Sequence, residues 1–153
     1  MLRARLTEAL KSAMKARDER SVSAVRLILA RLKERDIEVR PKGNTAGISD
    51  AEMVAMMQGM IKQRRESIEL YERGGRPELA AKEAGEIAVI ESFMPRQLSE
   101  GEMAAAVEGV IGELGASGIK DMGKVMAGLR ERFAGTMDFS RAGALVKAKL
   151  GGS

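Results

Sequence analysis

Two breaks in close succession constrain this chain more than any other feature. Leu70-Tyr71-Glu72-Arg73-Gly74-Gly75-Arg76-Pro77-Glu78-Leu79-Ala80 holds a glycine pair and then a proline, and Phe93-Met94-Pro95-Arg96-Gln97-Leu98-Ser99 holds a second proline. Proline suits the first turn of a helix, where its missing N–H is no loss. One helix therefore ends at the glycines and another begins at Pro77. The residue before a proline is pushed out of the α region, so this second helix stops near Met94. Ser99 then caps a third helix, with Glu102 at the capping-box position.

The flanking segments carry the same helical period. Leu2, Leu6, Leu10, Ala13 and Met14 form a first stripe. Val22, Val25, Leu29 and Leu32 form a second, widened by Ile28, on a helix begun by Ser21 or nearer Asp18. Arg40-Pro41-Lys42-Gly43-Asn44-Thr45-Ala46-Gly47 is rich in turn residues and reads as a mobile loop near residues 40–48. Ser49 and Glu52 form a capping box for a third helix striped by Met53, Met57, Met60, Ile61, Ile68 and Tyr71. At roughly 25 residues it would be about 37 Å long. A fourth runs from Pro77 to Phe93 and buries Leu79, Ala80, Ala84, Ile87, Ile90 and Phe93.

Beyond Pro95 the helices shorten. Met103, Val107, Val110, Ile111 and Leu114 line one, ended by Gly115 to Gly118. Asp121 caps the next, with Met122, Val125, Met126, Leu129 and Phe133 inward and Gly135 closing it. Asp138 or Ser140 starts the last, which carries Phe139, Ala142, Leu145, Val146 and Leu150. No alternating β-branched run reads as a strand. The expectation is an all-α protein: a four-helix N-terminal part over residues 1–94, a hinge at 95–99, and a small three-helix C-terminal domain over 100–153.

Composition narrows the chemistry. The 153 residues contain no cysteine, which excludes disulfides, iron–sulfur ligation and a thiol nucleophile. They contain no histidine, which removes the commonest metal ligand and the commonest general base at neutral pH. There is one tyrosine, three phenylalanines and no tryptophan, so single-stranded RNA has little to stack on. The start Met1-Leu2-Arg3-Ala4-Arg5 has no apolar core of a secretory signal, and no apolar run is long enough for a bilayer. A soluble cytoplasmic protein without membrane partners is expected. The net charge of +4 is uneven: residues 1–42 hold 12 Lys/Arg against 6 Asp/Glu, and residues 43–94 hold 6 against 9. The N-terminal excess suits either a polyanion or a mixed-charge solvated face.

Several motifs compete for a function. Gly118-Ile119-Lys120-Asp121-Met122-Gly123-Lys124-Val125 approaches the phosphate-loop pattern. It lacks the final hydroxyl and a preceding strand, so it reads as a helix boundary with Gly123 allowing close approach. The lysines beside that helix start remain able to hold a partner's phosphate. Glu83, Glu86 and Glu91 read as surface carboxylates pairing with Lys82 or arginines; without histidine they do not make a di-iron pattern, and no calcium loop is present. Lys62-Gln63-Arg64-Arg65 reads as pairing with Glu66, Glu69 or Glu72 along its own helix. The eleven methionines fall mostly at core spacing. Lys120, Lys124, Arg130, Arg132, Arg141, Lys147 and Lys149 make a basic C-terminal surface whose acidic neighbours in sequence are Asp121, Glu131 and Asp138. Such a surface fits a folded RNA read by shape and phosphate.

The chain also resembles the GatB/YqeY proteins over nearly its whole length. The resemblance rests on Lys62 to Ser67, Tyr71 to Ala80, Met94 to Ser99, Asp121 to Met126 and Leu145 to Leu150. Met94 and Arg96 stand where the family often has leucine and lysine, and Met137 and Phe139 where it often has small residues. The resemblance implies a helical domain shared with the tail of the tRNA-dependent amidotransferase B subunit, which contacts the tRNA body away from the chemistry. It implies a non-catalytic tRNA-docking role in translation, with amidotransferase or aminoacyl-tRNA synthetase components as partners. Lys120, Gly123, Lys124, Arg130, Lys147 and Lys149 are then the candidate RNA-facing residues. A family label of carbon–nitrogen ligase with glutamine as amide donor would hold only through a complex. No Ser–Ser–Lys pattern, nucleotide site or nucleophile–base pair is visible, and no catalytic residue, cofactor or metal is expected. The alternative is a helical protein–protein adaptor without RNA binding, docking through an apolar patch on the N-terminal helices.

Overall fold

The computed structural model describes residues 1–151; Gly152 and Ser153, the end of the expected C-terminal domain, lie outside the described residues. The described chain is all-α. Its helices are α1 (Leu2–Ala16), α2 (Glu19–Val39), α3 (Asp50–Arg73), α4 (Pro77–Glu91), α5 (Glu100–Leu114), α6 (Met122–Phe133) and α7 (Phe139–Gly151), with short 3-10 turns at Arg40–Lys42 and Ile119–Asp121. It divides into two compact units, Met1–Met94 and Pro95–Ser153.

In the first unit α3 packs along α4, and α2 packs on α1 and α4. Leu6, Val25, Ile28, Met53, Met57 and Ile90 are fully enclosed at the centre of its core. Both expected caps of this unit's long helices form. Asp18 accepts from the Ser21 N–H at 3.2 Å, so α2 starts at the earlier of its two expected sites. Ser49 and Glu52 exchange hydrogen bonds across a complete capping box.

The loop near 40–48, expected to be mobile, is clamped at its C-terminal end. Arg3 donates to both Asp36 oxygens at 2.6 and 2.8 Å and to the Ile48 carbonyl at 2.9 Å. The Ile48 N–H donates to Asp36 Oδ1 at 2.9 Å, and the Ile48 side chain enters the core. Gly47 must be glycine there: its φ is +93°, and a Cβ would lie 2.5 Å from Asp36 Oδ1.

Three inward expectations are corrected. Met14 is half exposed, because among the helices only α2 and α3 pack on α1 and neither covers its last turn on that side. Leu114 is exposed in the last turn of α5. On α4 the inward place expected for Ala84 is taken by Glu86, which meets Arg64 of α3 at 3.0 Å. Glu83, Glu86 and Glu91 do pair with arginines as expected, Glu91 on the surface, but Glu86 is buried. The basic run of α3 also pairs across helices: Arg64 with Glu86, and Arg65 with Glu91 at 3.6 Å.

In the second unit α5, α6 and α7 all touch one another around Met103, Val107, Val125, Leu129, Met137 and Val146. Residues 95–99, expected as a hinge, fold with this unit: the Leu98 N–H donates to the Thr136 carbonyl at 2.8 Å, and Gln97 Nε2 to the Gly135 carbonyl at 2.7 Å. Ser99 and Glu102 form the expected capping box. Gly128 lets α6 close on α5, with Val110 Cγ1 only 3.1 Å from where a Cβ would stand.

Candidate nucleic-acid interface

The second unit carries the basic residues singled out by sequence, and its helix packing sorts them. Arg141 and Lys149 lie eight positions apart on α7, as Glu100 and Glu108 do on α5. Each ion pair, Glu100 with Arg141 and Glu108 with Lys149, spans a separation of 41 residues, so the two helices run parallel and in register. Arg132 of α6 pairs with Glu113 of α5. The neighbouring cation holds the Glu108 and Glu113 carboxyls below the usual range. Sequence reasoning counted only Asp121, Glu131 and Asp138 as acidic neighbours and missed all three α5 partners. The shared spacing of eight was the signal that could have found two of them.

What remains is smaller and better placed. Lys120 lies in the 3-10 turn before α6 and Lys124 in the first turn of α6, both exposed. Lys147 is exposed on α7, which packs on the Met122 and Met126 side of α6, whereas Lys124, two residues from each methionine, lies on the other side of that helix. Gly143, one turn before Lys147, faces the Met122 and Met126 methyls, and Gly151, one turn after it, faces Ile119. None of these three lysines closes an ion pair among the described residues. Gly123 sits between Lys120 and Lys124 with no atom within 4 Å of where its Cβ would be. The close approach expected at Gly123 is therefore not made within the protein; the position is open to solvent.

Asp121 does not cap α6 as expected. Its carboxylate turns back to the Ser117 N–H at 3.1 Å. That hydrogen bond, with Lys120 and Lys124 nearby, lowers its pKa. Asp121 thus stays ionised beside Lys120 and Lys124. The other two candidates lie elsewhere. Arg130 rests over the Phe139 ring, 5.8 Å from its centroid, where α7 begins. Lys149 is committed to Glu108. The structure thus places Lys120, Gly123 and Lys124 about the start of α6 and Lys147 on α7, and engages Arg130 and Lys149 elsewhere.

The phosphate-loop resemblance finds no structural support. Gly118 is extended at φ −152° and leads into a 3-10 turn, with no strand before it. Among the described residues no cluster of three His, Cys, Asp or Glu side chains is arranged to hold a metal ion. No described helix is long and apolar enough to cross a membrane.

The family model of the YqeY-like proteins matches residues 3–150. The chain belongs to the YqeY-like family. Among curated relatives, the protein named "Altered inheritance of mitochondria protein 41, mitochondrial" from Eremothecium gossypii is 31% identical over 113 residues, 72% of this chain and 60% of that protein. The protein of the same name from Saccharomyces cerevisiae is 35% identical over 85 residues, 56% of this chain and 44% of that protein. The one from Lachancea thermotolerans is 28% identical over 113 residues, 72% and 58% of the two chains. The chain spans about half the length of these relatives. Their names correct the cytoplasmic expectation. It rested on lacking a secretory signal and a membrane span, neither of which bears on an organelle, and the YqeY-like relatives matched here are mitochondrial.

Proposed function

We propose that this YqeY-like protein is a non-catalytic docking protein for folded RNA. Transfer RNA is its ligand class, and amidotransferase or aminoacyl-tRNA synthetase components are its working partners. The observation that supports the reading is that Lys120, Lys124 and Lys147 are exposed and without ion pairs among the described residues, on a unit whose other lysine and most of whose arginines are engaged. Phosphate contacts by lysine give affinity without reading bases, which suits a surface almost free of aromatics. An open glycine between two of the lysines lets a phosphate backbone approach closely. The tRNA assignment rests on the likeness to the amidotransferase tail. Ligase activity, where the family carries it, would belong to the complex.

The test is binding of the purified protein to total tRNA across a salt series. Three phosphate contacts predict roughly a 20- to 40-fold loss of affinity between 50 and 200 mM salt. The double variant Lys120→Glu, Lys124→Glu should lower the logarithmic salt slope by about 2. Lys149→Ala, which removes a cation already paired, should leave the slope unchanged. No binding at 50 mM salt, or equal binding by the double variant, would overturn the reading.

A further inference from the structure

The outer face of α2 in the first unit is an apolar strip that no described element covers. Leu27, Ala30 and Ile37 share this exposed side, three and seven residues apart, and Val22 with Met14 of α1 borders its start. Leu27, Ile37 and Met14 are 44%, 49% and 51% exposed, unusual for large apolar side chains on one side of a small unit. Met14, Val22, Leu27 and Ala30 line an open groove of about 780 Å³. From Val22 to Ile37 the strip runs about 22 Å, the length of a four-turn helix. That is too long for a small ligand and right for a helix laid in a groove through residues at i, i+3, i+4 and i+7.

The charges beside the strip have one sign left over. The acids of α2 are engaged: Asp36 with Arg3, Glu34 with Arg31, Glu38 with Arg35, and Asp18 with Ser21. Arg17 and Arg26, which border the groove, and Lys33 further along make no ion pair among the described residues, and only Glu19 opposes them. We propose that this face docks an amphipathic helix of a partner protein whose flanks are acidic. Its leucine-type side chains would fill the groove, and its carboxylates would meet Arg17, Arg26 and Lys33. The surface lies on the other unit from the candidate lysines and stands or falls without them.

The test uses the full chain and a fluorescein-labelled designed 18-residue helix with leucines at i, i+3, i+4 and i+7 and glutamates beside them. A second peptide carries lysine at every glutamate. The glutamate peptide should bind with micromolar affinity and the lysine peptide at least about tenfold more weakly. Leu27→Asp should remove at least about tenfold of the affinity, and so should Arg26→Glu. Because Leu27 and Arg26 are exposed, both variants should keep the wild-type helical circular dichroism; the assay is read only on variants that do, with Lys33→Glu in reserve. Three results would overturn the proposal. One is equal binding of both peptides or none at all. Another is binding to vesicles of phosphatidylglycerol and phosphatidylcholine without binding to the glutamate peptide, which makes the occupant a lipid surface. The third is self-association that Leu27→Asp abolishes, which makes it a second copy.

Discussion

Glu86 is the one charged side chain buried in the described chain, and it sets up a double-mutant cycle with a definite outcome. Its oxygen lies 3.0 Å from Arg64 Nε, and both side chains are almost out of solvent, at 12% and 13% exposure. Arg64 Nη1 also donates to the Met60 carbonyl at 3.2 Å, and Glu83 stands 4.0 Å from Nε. Removing one partner of a buried ion pair costs about 3–5 kcal/mol, because the other charge is left uncompensated. Glu86→Leu leaves Arg64 with Met60 and Glu83, so its loss should fall at or below the low end of that range, about 2–3 kcal/mol. Arg64→Met should cost a similar amount by stranding the Glu86 and Glu83 carboxylates together. The double variant strands nothing and places two apolar side chains between α3 and α4. It should lie within about 1 kcal/mol of wild type. Tyr71 is the only tyrosine and there is no tryptophan, so its fluorescence in urea reports the first unit alone. That matters because two units need not unfold in one step. For a unit of this size the single variants should lose on the order of 10–20 °C in Tm. If the double variant loses as much as the two single variants summed, the pair adds net stability and the reasoning from desolvation fails.

The clamp on the 40–48 loop should be as sensitive. Gly47→Ala forces a Cβ against Asp36 at a positive φ and should cost about 2 kcal/mol or more in urea denaturation, where an ordinary exposed glycine would cost nothing. The surface pair of Lys149 with Glu108 should count for little, so Lys149→Ala should change stability by less than about 0.5 kcal/mol. Acid should destabilise both units. The Asp36 carboxyl is held below its ordinary range first by Arg3, and Glu102 is pulled down to about 2 first by Arg96 and then by Ser99. Groups lowered in the folded state bind fewer protons there than when unfolded. Their stabilisation is complete above about pH 4.5, the upper end of unperturbed carboxyl values, and fades as pH falls towards 2. Urea midpoints followed between pH 7 and 2.5 should drop across that window, and a flat profile would refute the assignment. Asp36→Asn should flatten the drop for the Tyr71 signal while leaving the second unit's response intact.

What was legible in the chain is what adjacent residues decide. Ser49 with Glu52 and Ser99 with Glu102 were readable as capping boxes because both partners lie within one turn, and both boxes form. Pro77 was readable as a helix start for the same reason. The stripes found most of the core because a helix buries one face whatever packs on it, but they could not say which stripe ends would go uncovered, as at Met14 and Leu114. Pairing between helices was hidden. Arg64 has no glutamate three or four places away on its own helix, and its partner Glu86 lies 22 residues on, in α4, a contact that no local spacing announces.

The same blindness inflated the basic surface of the second unit. Counted along the chain, seven cations faced three acids. Packed, α5 brings Glu100, Glu108 and Glu113 against three of those cations, and a fourth lies over an aromatic ring. The candidates that survive are those near helix ends, Lys120 and Lys124 beside the start of α6 and Lys147 towards the end of α7. None of the three closes an ion pair among the described residues, whereas Lys149, nearer still to the end of α7, meets Glu108 of α5. A phosphate therefore meets lysines that need not break a bond to receive it. This is also why Lys149, two residues from Lys147 and equal to it in sequence, is expected to contribute nothing to RNA affinity.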